Sequence, residues 1–104
     1  MSNVNNMMRQ VQALQRKMND AQEKLATEEV TGSAGGGMVT VTASGNGEVR
    51  AVTIAPDVVD PDDIDLLQDM VVAAVNEALR SAKDLEADRM GGLAGGLGLP
   101  PGLI

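Results

Sequence analysis

The sequence predicts an α+β fold in which a helix, three antiparallel strands and a second helix follow one another in a single small domain. Three patterns along the 104 residues support this fold class. Apolar side chains recur every three or four positions in the first 25 residues, Thr and Val alternate in the middle of the chain, and a second helical period follows a Pro-Asp segment. The element order is therefore α-β-β-β-α.

The first helix is predicted over residues 1–26 and reads as an arm. Its apolar side chains occupy the a and d positions of a heptad repeat, namely Val4, Met7, Val11, Leu14, Met18, Ala21 and Leu25. Two partners fit such a seam: the sheet of the same domain, or a helix of a second subunit. Three heptads are short for an isolated coiled coil, so pairing between subunits would need support from the globular part.

Residues 27–55 are predicted to form a three-stranded antiparallel sheet. Its strands are expected at residues 27–33, 38–44 and 48–55. Glycines at 35–37, and the run Gly45, Asn46 and Gly47, separate them and suit hairpin turns that need positive φ. The first glycine run is followed by a strand and by no Lys-Ser or Lys-Thr pair, so it indicates a hairpin and not a phosphate-binding loop.

The second helix is predicted over residues 61–89, with Asp60 as N-cap and Pro61 at its first position. Aspartates cluster around this start, but position 65 is Asp and position 71 is Val where a calcium loop starting at Asp60 would need Gly and Glu. The carboxylates complement the helix dipole instead. Residues 90–104 hold six Gly and two Pro and are predicted to be a disordered tail.

Composition excludes most catalytic chemistry. The chain has no Cys and no His, so thiol nucleophiles, imidazole bases and the usual zinc sites cannot be built. No enzyme activity, metal, cofactor or small-molecule substrate is therefore expected. Phe, Tyr and Trp are also absent, which leaves a thin aliphatic core between residues 26 and 89. Without disulfides or metals, a second subunit is the remaining way to stabilise it.

Charge is unevenly distributed along the chain. Residues 1–25 carry four basic and two acidic side chains, a sum of +2. Because the net charge of the whole chain is −7, the other 79 residues sum to −9. A basic arm on an acidic body suits an anionic partner, although a solvated helix face would look the same. Because no aromatic side chain is available for base stacking, duplex backbone contact is the expected nucleic-acid mode.

No export or membrane segment is expected. The opening MSNVNNMMRQ is polar, and the longest apolar run, Met70–Val75, is far too short to span a bilayer. A cytoplasmic protein without a membrane partner is predicted.

Residues 28–89 resemble the YbaB/EbfC family of bacterial nucleoid-associated proteins. The resemblance is carried by GGGMVTVT at 35–42, GNGEV at 45–49, VTIAP at 52–56 and LLQDMVVAAVNEA at 66–78. With the heptad arm before it and the Gly-Leu-Pro tail after it, nearly the whole chain is similar to the family. The resemblance implies a tweezer-like homodimer in the nucleoid, whose helical arms engage double-stranded DNA with little sequence preference.

The sequence therefore predicts a non-enzymatic DNA-binding homodimer. The predicted DNA contacts are Arg9, Arg16, Lys17 and Lys24 on the arm, with Arg50 on the third strand as a further candidate. The predicted dimer interface is on the second helix, at Val71, Ala74, Val75, Ala78 and Leu79. The alternative is a protein-interaction module that recruits another protein through the arm or the second helix and does not bind DNA directly.

Overall fold

The computed structural model describes residues 2–96 and confirms the α+β fold. Its elements, in chain order, are α1 (Ser2–Thr27), β1 (Glu29–Ala34), β2 (Val39–Ser44), β3 (Val49–Ile54), a short 3-10 turn (Pro56–Val58) and α2 (Ile64–Gly96). The strands lie within one or two residues of their predicted bounds. Residue 1 and residues 97–104 are outside the described part of the chain.

The strands form one antiparallel sheet in the order β1-β2-β3. In the middle of the sheet, Val41 lies between Gly32 on β1 and Val52 on β3. The expected positive φ angles are present at Gly35, Gly36 and Gly37, at 64°, 68° and 92°. Only glycine adopts three such angles in succession without strain, so the hairpin interpretation of this run is confirmed.

Helix α2 packs on one face of the sheet, and its closest approach is at Gly32. A Cβ atom there would lie 2.3 Å from the Ala78 nitrogen and 2.4 Å from the Ala74 carbonyl oxygen. Helix backbone therefore rests directly on strand backbone. Ala74 and Ala78 are fully buried in this contact, and the β2 side chains fully buried beneath the helix are Val39, Val41 and Ala43.

The helix covers β1 and β2 but leaves β3 open. Ile54 and Val52 pair with Val39 and Val41, so they point to the same face as the core, yet they are 37% and 44% exposed. All six residues of β3 are exposed. At the opposite edge of the sheet, Glu77 of α2 accepts a hydrogen bond from the backbone N–H of Ser33 at 3.4 Å. The helix is thus displaced towards β1, and no other element of residues 2–96 covers the β3 side of the apolar face.

Helix α2 begins three residues later than predicted. Its N-cap is Asp63, whose carboxylate accepts the N–H of Leu66 at 3.3 Å, and not Asp60. Asp60 closes a turn instead: its Oδ1 accepts the N–H of Asp62 and its carbonyl accepts the N–H of Asp63, each at 2.9 Å. The predicted start was too early because an Asp followed by a Pro is favoured in the first two positions of a type I turn as well as at the start of a helix.

Helix α2 also ends later than predicted, at Gly96 and not at Arg89. Residues 90–96 were expected to be disordered because of their glycines. Each glycine weakens a helix by about 1 kcal/mol but does not block its backbone, and no proline interrupts the chain before Pro100. The rest of the predicted tail, 97–104, is outside the described residues.

Substituting Gly32 tests the backbone contact. Because an added Cβ would meet two backbone positions, we expect Gly32→Ala to reduce the free energy of unfolding by about 1–3 kcal/mol. The matched control is Gly91→Ala, where a helical Cβ meets nothing within 4 Å and a gain of about 0.5–1 kcal/mol is expected. Urea unfolding followed by circular dichroism, at equal protein concentration, measures both. Equal stability of the two variants would contradict the contact.

Candidate nucleic-acid interface

Helix α1 projects from the body as an arm. The molecule measures 73 × 23 × 16 Å with a radius of gyration of 19.7 Å, against about 13 Å for a compact chain of this length. In the first half of α1, the seam residues Val4, Met7 and Val11 are 57%, 64% and 65% exposed. The distal seam therefore does not pack on the subunit's own sheet, which removes that alternative for this part of the helix.

The base of the arm is held firmly, at a junction we call the arm anchor, residues 24–28. Leu25 is fully buried, and its carbonyl accepts the backbone N–H of Gly45 at 2.9 Å. Arg89 of α2 forms a two-pronged ion pair with Glu28, with Nη2–Oε1 and Nε–Oε2 distances of 2.5 and 3.4 Å. These contacts fix the direction in which α1 leaves the sheet.

The four predicted arm cations form one basic stripe, Arg9, Arg16, Lys17 and Lys24. All four side chains are exposed, and none forms a salt bridge within residues 2–96. At 100° and 1.5 Å per residue, the stripe is about 22 Å long and lies roughly 130° around the helix from the apolar seam. Its four donors are therefore accessible to an anionic surface that approaches the outer side of the arm.

Arg50 is placed apart from this stripe. It is the extra residue of a β-bulge on β3, between the Ala51–Thr42 and Val49–Ala43 pairs. Its Nη2 donates to the carbonyl of Ala26 at 3.0 Å, at the C-terminal end of α1, where a cation complements the helix dipole. Arg50 thus helps to secure the arm anchor, and its contact with DNA stays a prediction.

The five predicted interface residues differ in their exposure within the subunit, and their place in a dimer contact stays a prediction. Ala74 and Ala78 have no exposed surface because they pack against Gly32 of their own chain. Val71, Val75 and Leu79 are half-buried and remain available.

Two apolar residues of β3 that were not among the predicted interface residues, Val52 and Ile54, are exposed on the core-facing side of the sheet. Their alternation with Ala51 and Thr53 was the available signal, since the same alternation identified the buried face of β2. An apolar face on the third strand could therefore have been predicted from the sequence.

Negative charge is concentrated away from the arm. Residues 51–79 contain seven carboxylates and no basic side chain, a sum of −7, and the remaining residues sum to zero. Six of these carboxylates, from Asp57 to Asp69, come directly after β3, whose last residue, Ile54, pairs with Val39 at one end of the sheet. The arm leaves from the other end of the sheet, beside Gly45. The molecule is therefore electrically polarised along its length.

From 2 to 96, no three Asp or Glu side chains come together in a group able to hold a metal ion. Neither helix, over the same span, has an apolar stretch long enough to cross a membrane.

Comparison with known proteins identifies the family. The model of the YbaB/EbfC DNA-binding family matches residues 1–97. A nucleoid-associated protein of Acetivibrio thermocellus is 50% identical over 102 residues, covering 98% of this chain and 90% of that protein. One from Syntrophobacter fumaroxidans is 52% identical over 103 residues, covering 95% and 94%.

A solved structure has the same fold. The crystal structure of the uncharacterized protein HP0035 from Helicobacter pylori superposes with a TM-score of 0.68 at 22% sequence identity, and the match covers 75% of this chain and 82% of that one. The family match includes the arm, the sheet and nearly all of α2. The chain belongs to the YbaB/EbfC DNA-binding family.

Proposed function

We propose that this protein binds duplex DNA, with little dependence on sequence, through the basic stripes on the α1 arms of a homodimer. The observation that carries the proposal is a row of four exposed cations, without ionic partners among residues 2–96, on a helix that projects from an acidic body. Membership of a DNA-binding family, and relatives named nucleoid-associated proteins, support a role in the nucleoid.

The chemistry of the stripe favours phosphate contact over base recognition. Arg and Lys on the outer face of a straight helix can each meet a backbone phosphate, and such contacts position a protein without reading sequence. Stacking on bases is excluded because the chain has no aromatic side chain. The seven negative charges of residues 51–79 repel DNA, so contact is confined to the arms and binding is modest at physiological salt.

The open face over β3 supports the proposal of a homodimer. Four of the seven fully buried apolar residues in the described chain are alanines, so one subunit has little core of its own. Val52 and Ile54 are exposed on β3, and at the β2–β3 turn Leu79 on the flank of α2 lines a shallow depression with Asn46 and Gly47. A second copy bringing the same surface about a twofold axis would cover both. Each subunit would keep its arm outside the contact.

Charge reversal on the arm tests the DNA-binding residues. We expect Arg9→Glu with Arg16→Glu to lower affinity for a duplex by tenfold or more at low salt, since each arm loses two phosphate contacts and gains two repulsive charges. The matched control is Arg80→Glu with Asn76→Glu and Gln68→Glu, three exposed residues of α2 whose replacement changes the net charge by the same amount. Gel shift or fluorescence anisotropy measures both. A similar loss in the two variants would show that net charge and not the stripe is responsible.

The salt dependence of binding tests the mode of contact. If each arm of the dimer engages two to four phosphates, the log-log slope of affinity against salt should be roughly −4 to −7. Titrations of unrelated duplexes should give similar slopes and affinities. Absence of any complex at low salt would exclude direct DNA binding and favour the protein-interaction alternative.

Substitution on β3 tests the dimer. Val52→Glu places a charge on the open apolar face, and we expect sedimentation velocity to show a shift from dimer to monomer. Thr53→Glu is the matched control, because it is the neighbouring exposed residue on the opposite face of the same strand, and it should stay dimeric. A dimer unaffected by Val52→Glu would place the interface elsewhere.

A further inference from the structure

The link between α1 and the sheet is a single residue, Glu28. Helix α1 ends at Thr27 and β1 begins at Glu29, so the direction of the arm is decided at one joint. The backbone N–H of this residue donates to the Leu25 carbonyl at 3.2 Å, and its carbonyl accepts the N–H of Gly45 at 2.9 Å. Because these bonds lie at the joint itself, they resist rotation of the arm less than a contact placed beside it.

The side chain of Glu28 forms such a contact. Its carboxylate accepts two hydrogen bonds from Arg89 of α2, 61 residues later in the sequence. Residues 2–96 contain one other ion pair, Arg50 with Glu48 at 3.8 Å, in which the Glu48 side chain is 67% exposed. The Glu28 side chain is 23% exposed, so its ion pair is less screened by water and connects the base of the arm directly to α2.

Rotation of the arm at this joint would displace the cations of the basic stripe unequally. At 1.5 Å per residue, Lys24 lies about 6 Å and Arg9 about 29 Å along α1 from Glu28. A rotation of about 10° therefore moves Arg9 by roughly 5 Å and Lys24 by roughly 1 Å. Such a displacement of Arg9 exceeds the length of a hydrogen bond to phosphate. The outer cations can therefore meet phosphates consistently only if the joint is fixed.

We infer that Glu28 and Arg89 are positioning residues for DNA binding: their ion pair fixes the direction of the arm, and the Glu28 carboxylate acts without contacting DNA. The inference rests on the proposed function and identifies what holds the basic stripe in place. An acidic residue in this role has a distinctive consequence. Removing a carboxylate close to a DNA-binding arm raises affinity by electrostatics alone, whereas loss of the ion pair lowers it.

Residual dipolar couplings of the free protein test the position of the arm without DNA. In the unaltered protein, the backbone amides of α1 and of the sheet should fit one alignment frame. In Glu28→Gln we expect the α1 couplings to fall by roughly 10–30% relative to those of the strands, because the arm samples a wider cone of directions. Arg89→Gln breaks the ion pair from the other side and should give the same fall. Unchanged α1 couplings in both variants would overturn the inference.

Glu23→Gln is the matched control for these measurements. Glu23 is exposed on the same helix and forms no ion pair within residues 2–96, and its substitution changes the net charge equally. The α1 couplings should be unaffected in this variant. Amide hydrogen exchange in β2 should be unchanged in Glu28→Gln, which shows that the body is still folded.

The affinity for a duplex tests the link to DNA binding. Glu28→Gln should weaken binding by about threefold or more at low salt although it makes the protein less acidic, whereas Glu23→Gln should bind equally well or better. Arg89→Gln with Glu28→Gln should lose no more affinity than Arg89→Gln alone, because both substitutions break the same ion pair. Unchanged or raised affinity in Glu28→Gln would overturn the role in DNA binding.

The place of the loss along the arm gives a further test. In the Glu28→Gln background, Arg9→Gln should cost less affinity than in the unaltered protein, whereas the cost of Lys24→Gln should be the same in both. Equal costs of Arg9→Gln in the two backgrounds would contradict the inference. If the unaltered protein formed no complex with DNA, the proposed function would fail, and the dipolar couplings would still decide whether the ion pair positions the arm.

Discussion

The arrangement of the whole subunit depends on the backbone contact between α2 and β1 at Gly32. With no side chain at Gly32 and only methyl groups at Ala74 and Ala78, the helix settles over β1 and its flank buries β2. The same position leaves β3 beyond its reach. The contact at Gly32 also directs α2 along the sheet towards Gly45, where the side chains of Leu85 and of the arm residue Leu25 both lie close to the glycine. One absent side chain thus determines both the open apolar face and the path of α2 beside the arm.

The lack of large side chains has two consequences that act together. It permits helix and sheet to approach closely, and it limits the apolar area that a subunit can bury. Because its core is small, such a subunit is only marginally stable, and its exposed apolar surfaces indicate sites of further contacts. Two such surfaces lie in the described chain, the apolar face over β3 and the exposed apolar side chains in the first half of α1. In the proposed homodimer, the first would contact the second copy.

The sequence predicted the helices, strands and turns whose formation depends on residues that are close together along the chain. Heptad spacing is typical of a helix, Thr-Val alternation of a strand and consecutive glycines of a turn, and each of these elements is present where it was predicted. The arm cations are exposed because the arm itself projects from the body. The start of α2 was misplaced because Asp60-Pro61 satisfies a turn as well as a helix cap. Ala74 and Ala78, predicted at the dimer interface, are fully buried within the subunit, because an apolar helix face does not reveal which part its own sheet covers. The Arg50 bond to Ala26 depends on a bulge that leaves no sequence signature.

The arm anchor gives α1 the mechanics of a lever. A helix held at Leu25–Glu28 and free beyond it moves its tip by about 0.6 Å for every degree of rotation at the base, over a length of roughly 35 Å. In the proposed homodimer, two such levers would set the width of one gap. Small adjustments beside Gly45, whose N–H holds the Leu25 carbonyl, would therefore change what fits between the arms without altering a single cation.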